Sequence, residues 1–281
     1  MTAQYQTEKI SGSLRDVSGR TRVFAILADP IYHVKTPQTM NAVFKEHGLD
    51  CVLVPLHVSA QELPEAVAGL RKVQNFSGFI ATVPHKTSVL ALCDEISDAA
   101  RRIGAVNCVR REKDGRLVGT MLDGIGFVEG LRSRGADPSD LKVFLAGAGG
   151  ASSAIAFALA EAGTSHITIS NRSKDRALEL KARLAAVYPD LSLAVNATDV
   201  GQHDLVVNGT TLGMRPDDAA PVDFSQIHAD QLVADAIMEP AMTPLLTAAQ
   251  SKGCRIFPGK PMLDSQILLM AQHMGAFDQT G

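Results

Sequence analysis

The chain has 281 residues, of which 46% are hydrophobic and 20% are charged, so it can bury the core of one large or two medium-sized domains. Its formal net charge of −3, with basic residues dispersed along the chain, excludes a general attraction to nucleic acid or anionic membranes. No apolar run reaches the roughly 18 residues of a membrane-spanning helix, and residues 1–5 are polar without a signal-peptide core.

Cysteine and histidine spacing gives no support for a disulfide framework or a metal site. The four cysteines are widely separated, and none of the eight histidines forms an i, i+4 pair on a predicted helix. We therefore expect reduced thiols, no bound metal and a cytoplasmic location.

Strands and helices alternate along the first part of the chain. The predicted elements are a strand over 22–28, a helix from Pro37 to Gly48, a strand over 52–56, a helix over 61–72 and a strand over 78–83. This β-α-β-α-β order predicts a mostly parallel sheet that is covered by helices on both faces.

The predicted third strand leads into Thr82-Val83-Pro84-His85-Lys86, which places a lysine where the strand gives way to a helix. Pro84 has no N–H for a sheet ladder, so the strand is expected to end there. By position alone, Lys86 fits a solvated residue, because lysines at strand ends mostly face water, or a catalytic residue at the edge of a sheet.

The pattern restarts near residue 141 as a mononucleotide-binding unit. A strand over 142–146 leads into the turn Gly147-Ala148-Gly149-Gly150-Ala151 and an Ala-rich helix, and the next strand covers 166–170. Such glycines let the backbone approach a pyrophosphate, and the helix N-terminus favours its charge. Ser152 replaces the third glycine of the common fingerprint, so a plain tight turn is the alternative.

Cations follow the second strand of this unit, where the sequence reads Asn171-Arg172-Ser173-Lys174-Asp175-Arg176. An NAD site usually places an acidic residue at the end of this strand to bind the ribose 2′-hydroxyl. The guanidinium of Arg172, the hydroxyl of Ser173 and the cation of Arg176 suit a 2′-phosphate instead, which favours NADP over NAD. The same segment also fits a solvated helix start with Ser173 as N-cap.

Strands predicted over 191–195, 205–207, 232–234 and 255–257 and a helical stretch from Gly259 complete the chain. The sequence therefore predicts an α/β fold with two domains and a cleft between them.

These residues resemble the shikimate dehydrogenase family along nearly the whole chain. The motifs that carry the resemblance are, in family order, ADPIYHVKTPQTMNAVF, GFIATVPHK, IGAVNCV, GTMLDGIGF, GAGGA, NRS, NGTTLGM, MTPLL and GKPMLDSQ. Each motif alone is weak, but nine in the same order are specific.

The resemblance implies reversible hydride transfer between NADP and the ring alcohol of a cyclohexene polyol acid. It implies an N-terminal substrate domain, residues 1–125 with the C-terminal helices 260–281, and a Rossmann-type NADP-binding domain, residues 126–259. Lys86 and Asp123 are implied as the catalytic pair, since a lysine beside a carboxylate can act as base for an alcohol and as acid for a ketone.

The resemblance also implies the remaining site residues. For the substrate these are Thr36, Thr82, Asn107 and Gln266, and for the cofactor they are the glycine turn, Asn171, Arg172, Ser173, Arg176, Thr210 and Gly259. From the residues alone, without the family resemblance, Asp123 fits an Asp-Gly turn, Asn107 fits a turn or cap residue, and Gln266 fits a solvated helix residue.

The departures from the family pattern lie on the substrate side. Val34 and Thr36 stand where the family has two serines that hold the substrate carboxylate, and the other replaced motif residues are Met40, Ile80, Met121, Leu122 and Met238. Each polar substrate group that is buried without a partner costs about 1–3 kcal/mol. We therefore expect a changed or broadened substrate, the alternative being that positions such as Ile80 and Leu122 only pack.

Lys35 is a further candidate substrate residue, because its ammonium lies on the same loop as Val34 and Thr36; a side chain that points to solvent is the alternative. The alternative functions are an NAD-dependent quinate or aminoshikimate-type dehydrogenase, a non-catalytic nucleotide-binding regulator, and an oxidoreductase of an unrelated ketone that uses Lys86 and Asp123. Retention of both Lys86 and Asp123 favours the enzyme. The expected partner is a small-molecule substrate, with no nucleic acid and no membrane, and the chain is expected to be a monomer or homodimer.

Overall fold

A computed structural model describes residues 17–278 and contains two six-stranded sheets with helices packed against them. The predicted polar N-terminus at residues 1–5 lies outside the described residues. So do the outer ends of the predicted substrate domain, residues 1–16 and 279–281.

The first sheet has the strand order β2-β1-β3-β5-β6-β4. Its elements are β1 (Arg22–Ala28), α1 (Thr36–Glu46), β2 (Cys51–His57), α2 (Leu63–Leu70), β3 (Phe76–Ala81), α3 (Lys86–Leu90), β4 (Glu95–Ile96), α4 (Asp98–Ile103), β5 (Cys108–Arg111) and β6 (Leu117–Thr120). The predicted β-α-β-α-β order is confirmed, and β1 pairs in parallel with β2 and β3. The sheet is mixed, because β5 runs antiparallel to β3 and β6.

The second sheet is parallel throughout and has the order β12-β11-β10-β7-β8-β9. The elements after β6 are α5 (Asp123–Arg132), β7 (Lys142–Ala146), α6 (Gly150–Glu161), β8 (His166–Ser170), α7 (Lys174–Val187), β9 (Ser192–Val195), β10 (Leu205–Asn208), β11 (Leu232–Asp235), α8 (Pro244–Ser251), β12 (Arg255–Phe257) and α9 (Lys260–His273), with short 3-10 turns at Val200–Gln202 and Phe224–Gln226. The strand order reverses between β7 and β10, and ligands of such sheets bind beyond the carboxyl ends of the strands at that switch point.

Helix α5 connects the two sheets and lies between α6 and α9. A Cβ at Gly124 would come within 2.2 Å of the Ala154 carbonyl oxygen in α6, and a Cβ at Gly126 within 2.6 Å of the Met262 carbonyl oxygen in α9. Glycine is therefore required at both positions for the backbones to approach this closely. The predicted domain boundary at residue 125 lies inside this helix and stays a prediction.

The C-terminal helix packs on the first sheet. Leu263, Ile267 and Met270 of α9 belong to the same buried apolar cluster as Phe24 and Ile26 of β1. This contact brings α9 to the side of the molecule on which α3 and α5 begin. Among residues 17–278, no helix is both long and apolar enough to cross a membrane.

Candidate active site

A cavity of about 110 Å³ lies between the two halves of the chain. Its walls come from the ends of β1, β3, β10 and β11 and from the starts of α1, α3, α5 and α6. The polar and charged residues among those that line it are His33, Lys35, Thr36, Thr82, Lys86, Asp123, Thr210, Thr211 and Glu239, and the apolar ones include Ile26, Val34, Met214, Ile237, Met238 and Met262.

Lys86 and Asp123, the predicted catalytic pair, meet at this cavity. The Lys86 Nζ and Asp123 Oδ2 atoms are 2.5 Å apart, and the two side chains are only 13% and 5% exposed. Each is the first residue of its helix, Lys86 of α3 and Asp123 of α5. A buried ion pair of this kind needs further hydrogen bonds to offset the loss of solvation.

Those hydrogen bonds come from two buried amides behind Asp123. Asn107 donates from Nδ2 to Asp123 Oδ1 over 2.8 Å, and Gln266 donates from Nε2 to the same oxygen over 3.4 Å. Asn107 also accepts the Leu122 N–H at 2.9 Å, which fixes the start of α5. Asn107 and Gln266 are 1% and 2% exposed, so the structure places these two predicted substrate residues against the carboxylate rather than on the cavity wall.

The glycine turn has the geometry that a pyrophosphate needs. Gly147 has φ +113°, and a Cβ there would lie 2.4 Å from Ser152 Oγ. Ser152 is fully buried and donates to the Gly209 carbonyl oxygen at 2.9 Å, so its small polar side chain closes the helix onto β10 in place of the missing glycine. A Cβ built at Gly149 meets no atom within 4 Å, which leaves this face of the turn open to a ligand.

The turn adjoins the catalytic pair. A Cβ at Gly150 would lie 3.0 Å from the Lys86 Cβ, and Ala151 and Thr210 line the same cavity as Lys86. Ala148 lies between the first two glycines of the turn. Gly259 is not part of the turn, and its backbone packs against the Ile237 carbonyl oxygen. Since the unpaired N–H groups of a helix start attract phosphates, a dinucleotide held at α6 would reach the pair.

Asn171, Arg172 and Ser173 lie between β8 and α7, and Arg176 is the third residue of α7. Asn171 donates from Nδ2 to the Ser173 carbonyl oxygen at 2.9 Å, and the Asn171 N–H donates to Asn196 Oδ1 at 3.0 Å. Arg172, Ser173 and Arg176 are exposed, and Ser173 is the N-cap residue of α7 without a side-chain cap hydrogen bond. The hydroxyl and the guanidinium groups are therefore accessible to a ligand.

A cluster of buried polar residues supports the part of the cavity wall that is formed by the loops after β10 and β11. Asn208 donates to both carboxylate oxygens of Asp235, at 3.2 and 3.1 Å, and accepts the Thr210 hydroxyl at 2.7 Å. The Thr243 hydroxyl and the Ile237 N–H also donate to Asp235. Burial raises the pKa of Asp235 to about 6. These bonds tie together the loops after β10 and β11, which both line the cavity.

The departures from the family pattern separate into two groups. Val34, Thr36 and Met238 line the cavity. Met40, Ile80, Met121 and Leu122 are instead buried in the core, as the packing alternative for Ile80 and Leu122 expects. A change at those four positions acts on packing, whereas a change at the cavity wall acts on the ligand.

Lys35 lies at the mouth of the cavity, paired with a residue that the sequence analysis does not single out. Its Nζ is 2.8 Å from Glu239 Oε2, and the two side chains are 47% and 51% exposed. Glu239 is missed because it belongs to no motif, although it follows β11 on the side where the other loops meet. His33 also lines the cavity, and burial lowers its pKa.

No cluster of three or more histidine, cysteine, aspartate or glutamate side chains suited to a metal ion occurs between residues 17 and 278. The cysteines of this range are all free thiols.

Comparison with known proteins gives matches along both halves of the chain. A family model described as "Shikimate dehydrogenase substrate binding domain" matches residues 26–109, and one described as "Shikimate / quinate 5-dehydrogenase" matches residues 131–213. A protein of Rubrobacter xylanophilus named shikimate dehydrogenase (NADP(+)) is 41% identical over 258 residues, which are 89% of each chain.

Two solved structures illustrate the similarity of fold. A shikimate dehydrogenase in complex with NADP+ is 30% identical and superposes with a TM-score of 0.84 over 92% of this chain and 91% of its own. The ligand-free 5-ketofructose reductase of Gluconobacter sp. strain CHM43 is 32% identical and gives a TM-score of 0.77 over 91% of this chain and 93% of its own.

Proposed function

The chain belongs to the shikimate dehydrogenase family, and on that premise we propose that it is an NADP-dependent dehydrogenase of a shikimate-like cyclic hydroxy acid. The observation that carries the proposal is the short Lys86–Asp123 pair at a cavity beside the glycine turn. A regulator that only binds a nucleotide would have no use for this pair, so the non-catalytic alternative is not favoured.

The cofactor is held by three groups of residues. The turn from Gly147 to Ala151 and the first N–H groups of α6 bind the pyrophosphate, while Asn171, Arg172, Ser173 and Arg176 bind the adenosine side with its 2′-phosphate. Thr210 lies on the cavity wall, where the nicotinamide end is expected. When bound, NADP accepts a hydride during alcohol oxidation, and NADPH donates one during ketone reduction.

The residues of the chain move the proton. In ketone reduction the Lys86 ammonium donates a proton to the carbonyl oxygen, and in alcohol oxidation the neutral amine takes the hydroxyl proton. Asp123 holds Lys86 in position and stabilises its charged form, while Asn107 and Gln266 fix the carboxylate. Thr36 and Thr82 offer hydroxyl groups to the substrate from the same wall.

The test is the reduction of NADP(+) by shikimate, followed by the absorbance of the reduced nicotinamide, with NAD(+) in a parallel assay. We expect turnover with NADP(+) and a clear preference over NAD(+). A wild-type enzyme that binds NADP(+) but oxidises neither shikimate nor quinate would reject the proposal. The predicted monomer or homodimer and the cytoplasmic location remain predictions.

A further inference from the structure

The charges that line the cavity are already paired with one another. The lysines among the lining residues are Lys35 and Lys86, and each has a carboxylate within 2.8 Å, from Glu239 and Asp123 respectively. His33 adds no positive charge near neutral pH, because burial lowers its pKa. The part of the chain that the structure describes therefore offers an anionic substrate group no unpaired cation on this wall.

The wall around the Lys35–Glu239 pair is apolar. Val34, Met238 and Ile237 line the cavity next to this pair in sequence and present no hydrogen-bond donor from their side chains. Thr36 is the nearest hydroxyl in the loop and is 5% exposed. A carboxylate placed beside this pair would lose water, and the side chains of residues 33–36 and 237–239 would offer it, as uncharged donors, the Thr36 hydroxyl and a ring N–H of His33, whose Nδ1 is buried without a partner. Part of its hydrogen bonds would then be left unmade.

Glu239 makes this end unfavourable for an anion in a second way. A substrate carboxylate that bonded to Lys35 would displace or share with the Glu239 carboxylate, whose oxygen is 2.8 Å from the Lys35 Nζ. The ion pair itself is half-exposed and easily opened, but the displaced glutamate charge would remain beside the substrate charge.

We propose that this enzyme also reduces uncharged polyhydroxy ketones, because the cavity wall around the Lys35–Glu239 pair suits a neutral group at the positions where the family resemblance implies that a substrate carboxylate is held. The inference rests on the proposed function, since it uses the same Lys86–Asp123 pair and the same NADP chemistry. In the reaction the ketone carbon takes the hydride of NADPH and its oxygen takes a proton from Lys86, which gives the alcohol and NADP(+).

The experiment compares two ketones that differ in one charge: the ketone formed by oxidation of shikimate, and its primary carboxamide. Assays run in the direction of reduction with NADPH, because the reduced nicotinamide is uncharged and does not itself attract the acid. We expect wild-type kcat/KM for the carboxamide to equal or exceed that for the acid. Reduction of the acid alone, or a preference for the acid of about tenfold or more, would overturn this inference and leave the proposed function standing.

Glu239→Gln tests whether the charge of the Glu239 side chain, and not its shape, makes the cavity unfavourable for the acid. The substitution frees the Lys35 ammonium, so we expect kcat/KM for the acid to rise about fivefold, the upper value of an exposed ion pair, while the carboxamide stays within about twofold. Glu46→Gln, at the exposed far end of α1, removes the same charge away from the cavity and is expected to change neither value. Equal responses of the two ketones to Glu239→Gln would contradict the charge argument.

A binding measurement keeps the two proposals apart. If neither ketone is reduced although NADPH binds, the proposed function and the reduction of neutral ketones are both rejected, and calorimetric titration of the enzyme–NADP(+) complex then tests only whether the cavity wall prefers a neutral group. Tighter or equal binding of the carboxamide supports a neutral site, and tighter binding of the acid overturns it.

Discussion

The two ends of the cavity differ in how deeply their charged pairs are buried. At the reaction end, Lys86 and Asp123 are 13% and 5% exposed, and two buried amides hold the carboxylate. At the loop end, Lys35 and Glu239 are 47% and 51% exposed and stand among apolar side chains.

This difference in burial explains why the reaction end has the residues that the family motifs predict, while the loop end departs from those motifs. Removing one partner of a buried, hydrogen-bonded pair leaves an uncompensated charge and costs about 3–5 kcal/mol, so the members of the reaction end must stay together. An exposed pair is worth about 1 kcal/mol or less, and its neighbours can change one at a time. Burial therefore ties the residues of the reaction end to one another, whereas a single replacement at the loop end costs little stability.

Lys86→Ala tests the reaction end most severely. We expect a loss in kcat of about 10²–10⁴-fold, the usual contribution of a general acid or base. NADP affinity, measured by fluorescence titration of NADPH, is expected to change little, since the Lys86 ammonium bonds to Asp123 and the pyrophosphate is assigned to backbone N–H groups of the turn. Activity within a few-fold of wild type would remove Lys86 from the mechanism.

Asp123→Asn tests whether the pair acts as a unit. The amide keeps the shape of the side chain but loses the charge that holds Lys86, so we expect a loss comparable to that of Lys86→Ala. The double variant should lose little more activity than either single variant, because once one partner of the pair is removed the other no longer contributes to the rate. Rate losses that multiply in the double variant would show that the two residues contribute separately.

Arg172→Ala tests a site outside both ends of the cavity. Loss of a charge-assisted bond to the 2′-phosphate should weaken NADP binding by about 1.5–3 kcal/mol and leave NAD binding nearly unchanged. Arg176→Ala, at the third residue of α7, provides the comparison for a second exposed cation of the same segment. A wild-type enzyme that prefers NAD, or equal effects of Arg172→Ala on both dinucleotides, would refute the assignment.

Asp235→Asn tests the buried carboxyl group that ties together the loops after β10 and β11, through the pH dependence of the free energy of unfolding. The pKa of Asp235 is raised by burial to about 6, so the folded protein binds this proton more tightly than the unfolded chain does. The contribution to stability is full below the ordinary carboxyl pKa and is lost as pH rises through about 6, by up to about 3 kcal/mol.

The measurement is urea unfolding of wild type and Asp235→Asn between pH 4 and 7. We expect the wild type to lose stability relative to the variant as pH rises, because the amide does not titrate. Subtraction of the two curves cancels carboxylates such as Asp94, whose lowered pKa acts in the opposite direction. A difference that stays constant over this range would show that Asp235 does not titrate there.

The sequence predicts most of the second half of the fold and less of the first. The limits of the strands at 142–146, 166–170 and 255–257 match the structure, because each is a short run of mostly apolar or β-branched residues next to glycine, proline or other turn residues. Strands β4, β5 and β6 have two to four residues each, with charged residues or glycine among them, and are not predicted.

The site residues likewise divide into those that the sequence predicts and those that it does not. Lys86 and Asp123 stand in motifs, so a single sequence leads to both. Glu239 carries no signal, because its effect depends on which loops the fold brings to one cavity. His33 lies within the first family motif, but its place at the cavity is seen only in the structure. The spacing of Gly124 and Gly126 likewise has no evident meaning until α6 and α9 are seen on either side of α5.

The most direct test of the separation between the two ends is the steady-state kinetics of Val34→Ser with shikimate. A serine at this wall restores a donor for the carboxylate without touching Lys86. We predict that KM falls about tenfold, the worth of one hydrogen bond to a charged group at the lower end of its range, while kcat stays within about twofold. A changed kcat with an unchanged KM would contradict the account, because the loop end would then take part in the chemical step.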